Sequence, residues 1–322
     1  MLSSYKNKRI LVTGGAGFIG SHLTEKLISL GAHVTVLDNL THGTLDNLRK
    51  VIHQINFLQT DITSLQDCHK ATAHKDVVFH LAALTSASES LHAQERYMAV
   101  NVHGTENILQ SCAENNVPHL VFASSAAVYG NTAKKCSESD TLQPLTPYAE
   151  SKLRCEQLCK KYAHAHNQSS VCLRYFNVFG PRQQQTGPYA SVIPQFIAAL
   201  KENKPLTIYG DGHQTRDFVP VAQVVEATLL MGLAENMAGE IFNIASGKSI
   251  SLLEVVESLK LELGLTTIKC HHAPERTGDI RYSIADCAKY QKFASEMDGF
   301  PLESKDLSLK FISQTNVGKQ AQ

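Results

Sequence analysis

Neither a CxxC pair nor an HExxH motif occurs in the sequence, and no stretch approaches the ~18 apolar residues of a membrane span. The eight cysteines, at 68, 112, 136, 155, 159, 172, 270 and 287, are scattered. Cys155 and Cys159 stand one turn apart in a segment with helical period, but no further ligand at metal spacing joins them. Free thiols are therefore expected, and a metal centre is not. Of fifteen histidines only His271 and His272 are adjacent, and loop or surface is the simpler reading of that doublet. An excess of one charge is also missing. Thirty basic residues balance thirty acidic ones, and no basic patch dense enough to track nucleic-acid phosphates stands out. The opening MLSSYKNKRILVTGG has a strand-length apolar run where a signal peptide would have its longer apolar core. These absences predict a cytoplasmic protein with neither membrane nor nucleic-acid partners.

What is present points to an enzyme-sized globular chain. With 322 residues, 43% hydrophobic and 19% charged, it can bury a large core. Short apolar runs at residues 9–13, 33–37, 56–59, 77–81, 120–124 and 171–174 alternate with helical periodicity at 19–30, 97–115 and 148–166. Such alternation predicts an α/β fold, a doubly wound parallel sheet covered on both faces. After residue 176 glycine and proline break the rhythm, at Gly180-Pro181, Gly187-Pro188 and Gly210-Asp211-Gly212. A helix over 221–234 and a strand over 240–244 look like a return to the sheet. The expected division is a nucleotide-binding domain of residues 1–175, joined by 220–245, and a smaller interleaved lobe of 176–219 and 246–322 that takes the substrate.

The glycine run Gly14-Gly15-Ala16-Gly17-Phe18-Ile19-Gly20 follows the first strand and opens the first helix. Gly14 permits the tight turn, Gly17 the close approach of a pyrophosphate, and Gly20 the packing of helix on strand. The helix start then offers free N–H groups to the phosphates. This is a Rossmann-type start. Asp38, followed by Asn39, ends the second strand 18 residues beyond Gly20, where a carboxylate accepts the ribose hydroxyls of NAD and repels a 2′-phosphate. No arginine follows before Arg49, so NAD is expected rather than NADP. Asp61-Ile62 is placed for the adenine edge, though a plain turn residue explains Asp61 almost as well.

Tyr148 and Lys152 stand at i and i+4, on one face of a helix, and Ser125 ends the strand before it. A phenol must lose ~3 pKa units, ~4 kcal/mol, to serve as a base at neutral pH. One positive charge at ~6 Å and an effective dielectric of ~20 supplies ~3 kcal/mol. Lys152 and an oxidised nicotinamide together supply the shift, and neither does so alone. That dependence suits an enzyme whose first act is to remove a hydride.

With GGAGFIG, DNL (38–40), HLAA (80–83), NVHGT (101–105), SSAAVYG (124–130), YAESK (148–152), RYFNVFGPRQ (174–183), TRDFV (215–219) and ERTGD (275–279), the chain resembles the extended short-chain dehydrogenase/reductases, specifically the NAD-dependent epimerase/dehydratase family. The resemblance implies Tyr148 as base, Lys152 on the nicotinamide ribose, Ser125 on the sugar hydroxyl and Asn101 in support of the cofactor region. It implies Leu81, Ala82 and Ala83 beside the cofactor, and Asn177, Arg216 and Arg276 on the nucleotide diphosphate. Asp279 matches an acid near the nucleotide ribose, and Val192, Phe196 and Tyr209 match a uracil slot. A homodimer paired through the helices at 97–115 and 148–166 is also implied, with Ile108, Leu109, Leu153 and Leu158 at suitable spacing.

Within that family the sugar 4,6-dehydratases resemble one another in an Asp-Glu pair where this chain has Ala126 and Ala127. The uronate decarboxylases commonly carry a glutamate in the same stretch. Its absence implies oxidation and re-reduction at C4 of a UDP-hexose, that is, 4-epimerisation. RYFNVFGPRQQQTGPYASVIPQF and the serines Ser86 and Ser90 are similar to bacterial UDP-N-acetylglucosamine 4-epimerases. Ser283 falls where strict UDP-galactose epimerases carry a tyrosine, so room for an acetamido group is expected there. A UDP-glucuronate 4-epimerase or decarboxylase is the alternative, and a non-catalytic NAD-binding sensor a distant one. Pro220 and Gln223 depart from the family's usual DFVYVxD, costing a backbone donor and a capping acid.

Overall fold

The computed structural model describes residues 2–184, 191–275 and 280–297. β1 (Arg9–Thr13), β2 (His33–Leu37), β3 (Asn56–Leu58), β4 (Val77–His80), β5 (His119–Ser125), β6 (Ser169–Tyr175) and β7 (Glu240–Ile244) form one sheet. β1 and β2 each expose only their first residue, and β4 is buried throughout, as strands covered on both faces require. The order is β7-β6-β5-β4-β1-β2-β3, and every pairing is parallel. The chain winds one way from β1 to β3 and the other way from β4 onward. The crevice outside the carboxyl ends of β1 and β4, at Thr13 and His80, is therefore where a doubly wound sheet binds ligands.

Among the described residues the helices of eight or more residues are α1 (Phe18–Ser29), α2 (Leu65–Thr72), α3 (Gly104–Glu114), α4 (Pro147–His166), α5 (Val192–Lys201), α6 (Val221–Gly232), α7 (Leu252–Glu262) and α8 (Ala288–Glu296). One core cluster lies between the sheet and the helices α1 and α6, with Leu23, Leu27, Val224 and Leu229 at its centre. A second packs α2, α3 and α4 on the opposite face, through Cys68, Ile108, Leu109, Cys155 and Cys159. A third consists of residues between 179 and 268, among them Phe179, Phe196, Ile208 and Val255. α8 belongs to the first: Tyr290 and Phe293 pack against the sheet's core, so this helix lies with the sheet although its sequence position put it in the smaller lobe.

The helix expected over 97–115 is not continuous. A short turn (Gln94–Tyr97) runs into a π-helical stretch (Met98–His103) before α3 begins. The widened turn carries Asn101 into the interior, a device often found next to functional sites. Pro220 sits where its missing N–H costs little: it ends a short strand pair with Asn177–Phe179 and stands at the N-cap of α6, with φ −61°. Among the described residues no helix is long and apolar enough to cross a membrane.

Candidate active site

Gly14 holds φ +68°, and a Cβ there would lie 2.7 Å from the amide nitrogen of Ala82. A Cβ on Gly20 would strike the carbonyl oxygen of Gly14. The two glycines thus let β1, α1 and the loop after β4 converge with backbone facing the crevice. Gly17 caps α1 with no side chain on its free N–H groups, which leaves them for an anion. Asp38 is buried, and its two oxygens accept from the amides of Ala16 (3.0 Å) and Leu40 (2.8 Å). Burial raises its pKa, and the two amides pull it down. An ionised carboxylate so held keeps lone pairs for a diol. Asn39 donates to Asp61 at 2.6 Å, so these neighbours brace each other at the ends of β2 and β3.

Thr13 accepts from the amides of Leu81 and Ala82, at 3.2 Å each, and pairs with His80 Nδ1 at 2.7 Å. The other ring nitrogen of His80 meets Thr105 at 3.0 Å. Burial, reinforced by the charge of Lys152, pushes the imidazole's pKa down to about 3, so it is a neutral post between sheet and helix. Asn101 does the same for the next residues. Its side chain exchanges two hydrogen bonds with the backbone of Leu84 and donates to Ser151 Oγ at 2.9 Å, which fixes the loop after β4 to α4.

α4 starts with Thr146 as cap and Pro147 in its first turn, which places Tyr148 at the mouth and Lys152 one turn deeper. Lys152 is 3% exposed; its ammonium donates to the Ala123 carbonyl at 2.7 Å and lies 4.8 Å from the centre of the Phe122 ring. Burial lowers its pKa. Burial also raises the pKa of Tyr148, while a hydrogen bond with Ser125 works the other way. The protein's own groups thus leave the phenol protonated, and the shift toward a base requires the positive charge of an oxidised cofactor.

A cavity of about 780 Å³ joins these parts. Its wall runs from Gly14, Gly17, Phe18, Ile19 and Gly20 past Asp38, Asn39, Asp61 and Ile62 to Leu81, Ala82, Ala83 and Ser86. It continues over Ser125, Tyr148 and Lys152 to Asn177, Val192, Tyr209 and Arg216. Three expectations change. Phe196 is 2% exposed and packs in the third core cluster, behind the wall that Val192 forms. Ser283 is 8% exposed and off the cavity wall, its carbonyl accepting from Ser249 at 2.9 Å. Ser90 is fully buried and spends its hydroxyl on the Ala87 carbonyl. Arg276 and Asp279 lie outside the described residues. Asn101 acts from behind the wall.

The cysteines are all free, and only Cys270 is exposed. His164 and His166 make an HxH pair, exposed at the end of α4, and among the described residues no group of three or more ligands suits a metal ion.

Two features of the site escape sequence reasoning. Glu89 and Arg96 line the cavity and pair at 3.0 Å. Glu156 and Arg174 form a buried pair directly beneath Ser124. An arginine inside the apolar run VCLRYF was the signal for the second, because a charge in a buried strand demands a partner.

Residues 10–245 match the model of the NAD dependent epimerase/dehydratase family. The chain belongs to this family. Its cofactor is NAD, which the glycine cradle and Asp38 fit. Among curated family members, the UDP-N-acetyl-α-D-glucosaminuronate decarboxylase of Bacillus cytotoxicus is 38% identical over 273 residues, 83% of this chain and 84% of that one. The UDP-N-acetylglucosamine 4-epimerase of Methanobrevibacter ruminantium, solved with UDP-N-acetylmuramic acid, is 38% identical with a TM-score of 0.86, covering 90% of this chain and 92% of that one. The UDP-glucose 4-epimerase of Thermus thermophilus, solved with NAD, is 31% identical with a TM-score of 0.86, covering 98% of this chain and all (100%) of the other.

Proposed function

We propose that this family member interconverts the C4 epimers of a UDP-hexose, UDP-N-acetylglucosamine and UDP-N-acetylgalactosamine first, and UDP-glucose and UDP-galactose as further substrates. The observation that carries the reading is the convergence of Ser125, Tyr148 and Lys152 on one cavity wall, with alanines at 126 and 127 beside them. Tyr148 takes the proton of the C4 hydroxyl and later gives it back, and Ser125 orients that hydroxyl. Lys152 holds the ribose of the nicotinamide. The chemistry that bound NAD would supply is reversible hydride acceptance at C4, with return to either face of the 4-keto sugar. Asn177 and Arg216, with Arg276, hold the diphosphate, Asp279 the nucleotide ribose, and Val192 and Tyr209 flank the uracil. Residues 176–219 and 246–275 then supply the substrate lobe.

A second reading has a specific observation behind it, the 38% identity to a uronate decarboxylase. Oxidation at C4 places a C6 carboxylate β to a ketone, so a uronate bound here would either lose carbon dioxide or be reduced again at C4, the two outcomes of the uronate reading. The choice between the readings therefore rests on which sugar enters. Proton NMR of the purified protein with the four neutral UDP-hexoses and with UDP-glucuronate tests it: interconversion of a neutral pair is expected, and turnover of UDP-glucuronate, by epimerisation or by loss of carbon dioxide, without interconversion of any neutral pair would overturn the proposal. Retained nicotinamide absorbance is expected as well.

We also propose a homodimer through α3 and α4. Ile108 and Leu109 are spent on the protomer's own core and Leu153 packs with the cluster of Val128 and Tyr129, which leaves the half-buried Leu158 and Tyr162 as the apolar part of that face. Sedimentation at micromolar concentration should show twice the chain mass.

A further inference from the structure

Three carboxylates line the described part of the cavity: Asp38, Asp61 and Glu89. The first two stand at the ends of β2 and β3, at the far side from Tyr148. Glu89 stands on the other side of the crevice, in a short helix (Ala87–Ser90) capped by Ser86. One of its oxygens accepts from Arg96 at 3.0 Å, the other from the hydroxyl of Tyr97 at 3.1 Å. Tyr97 is fully buried, accepts from the Ser86 amide at 3.0 Å, and packs its ring edge-on against Tyr148 with centroids 6.4 Å apart. The carboxylate is thus held one ring away from the proposed base. Its side chain is 16% exposed, against 51% for that of Arg96, so the negative member of the pair is the inner one. Of the other cations that line the cavity, Lys152, Arg182 and Arg216, the first donates to the Ala123 carbonyl and the second pairs with Glu25.

We propose that Glu89 is a specificity-determining residue that turns the sugar end of the cavity away from hexuronates and toward neutral hexoses. The inference rests on the proposal that the C4 hydroxyl sits at Tyr148. A sugar anchored there carries its remaining substituents along the neighbouring wall, and a 6-carboxylate would meet a fixed like charge whose compensating cation lies farther out. Repulsion between two such charges in a partly buried site is not screened as it is in water.

The test is calorimetric titration of the NAD-loaded enzyme with UDP-glucuronate and with UDP-glucose, in wild type, Glu89→Gln and Arg96→Gln. The ratio of the two dissociation constants, uronate over neutral sugar, is expected to fall about tenfold in Glu89→Gln and to rise in Arg96→Gln. Both shifts should shrink in high salt. An unchanged ratio in Glu89→Gln would overturn the proposal, and a uronate that binds more weakly there would overturn it in favour of Arg96 as the recruiter of the carboxylate. Binding is read separately from turnover: failure of wild type to interconvert any neutral pair defeats the proposed function, whereas the ratio decides the role of Glu89.

Discussion

Glu156 and Arg174 meet as a two-pronged ion pair, at 2.9 and 2.8 Å, with both side chains almost wholly out of water. Glu156 lies one turn beyond Lys152 on α4 and also accepts from Ser124 at 2.5 Å, beside Ser125. Arg174 reaches on to the Tyr129 hydroxyl, and Tyr129 to Asn243. The ion pair ties the helix that carries Tyr148 to β6, and the Ser124 hydrogen bond joins the strand that ends in Ser125 to the same carboxylate. Glu156→Gln removes half of a buried pair and strands a guanidinium, which costs about 3–5 kcal/mol. Urea unfolding should show that loss, and the double change Glu156→Gln with Arg174→Met should cost less than Glu156→Gln alone.

Tyr148→Phe keeps the ring against Tyr97 and removes the phenol oxygen that is hydrogen-bonded to Ser125. Turnover should fall by about 10²–10⁴ while NAD stays bound. Burial holds this phenol above its ordinary pKa and the oxidised cofactor works against that, so wild-type kcat/KM should climb as pH rises and level off once the phenol is ionised. A residual rate of more than a few per cent in the variant would reject Tyr148 as the base.

His80 makes an acid-sensitive contribution to stability. Its folded pKa, about 3, lies below the ordinary value, so between roughly pH 6.5 and 3 the unfolded chain binds a proton that the folded chain refuses. Stability should fall as pH falls through that window, by about 1.4 kcal/mol per unit from this residue. His80→Gln should flatten that part of the pH dependence in urea titrations, and an unchanged slope would count against it.

Ser283→Tyr is a pocket-filling change on the sequence alone; with Ser283 packed off the wall, it becomes overpacking. A loss of about 1–3 kcal/mol in stability is expected, with a similar loss of kcat/KM for acetylated and plain UDP-hexoses. Selective loss of the acetylated pair would restore Ser283 to the pocket.

The sequence by itself determined the doubly wound sheet, the glycine turn, Asp38 at the second strand and the Tyr148–Lys152 pair, because each is written in local periods and short spacings. Two, 3.6 and four residues are the distances over which a chain reports its own geometry. The tertiary structure alone decided which side chains face the cavity once the chain has crossed the sheet. It moved Ser283 and Phe196 off the wall, brought Glu89 onto it, and joined Glu156 to Arg174 across 18 positions. Such placements depend on how helices and loops pack against strands from elsewhere in the chain, and no window of sequence contains both partners' surroundings.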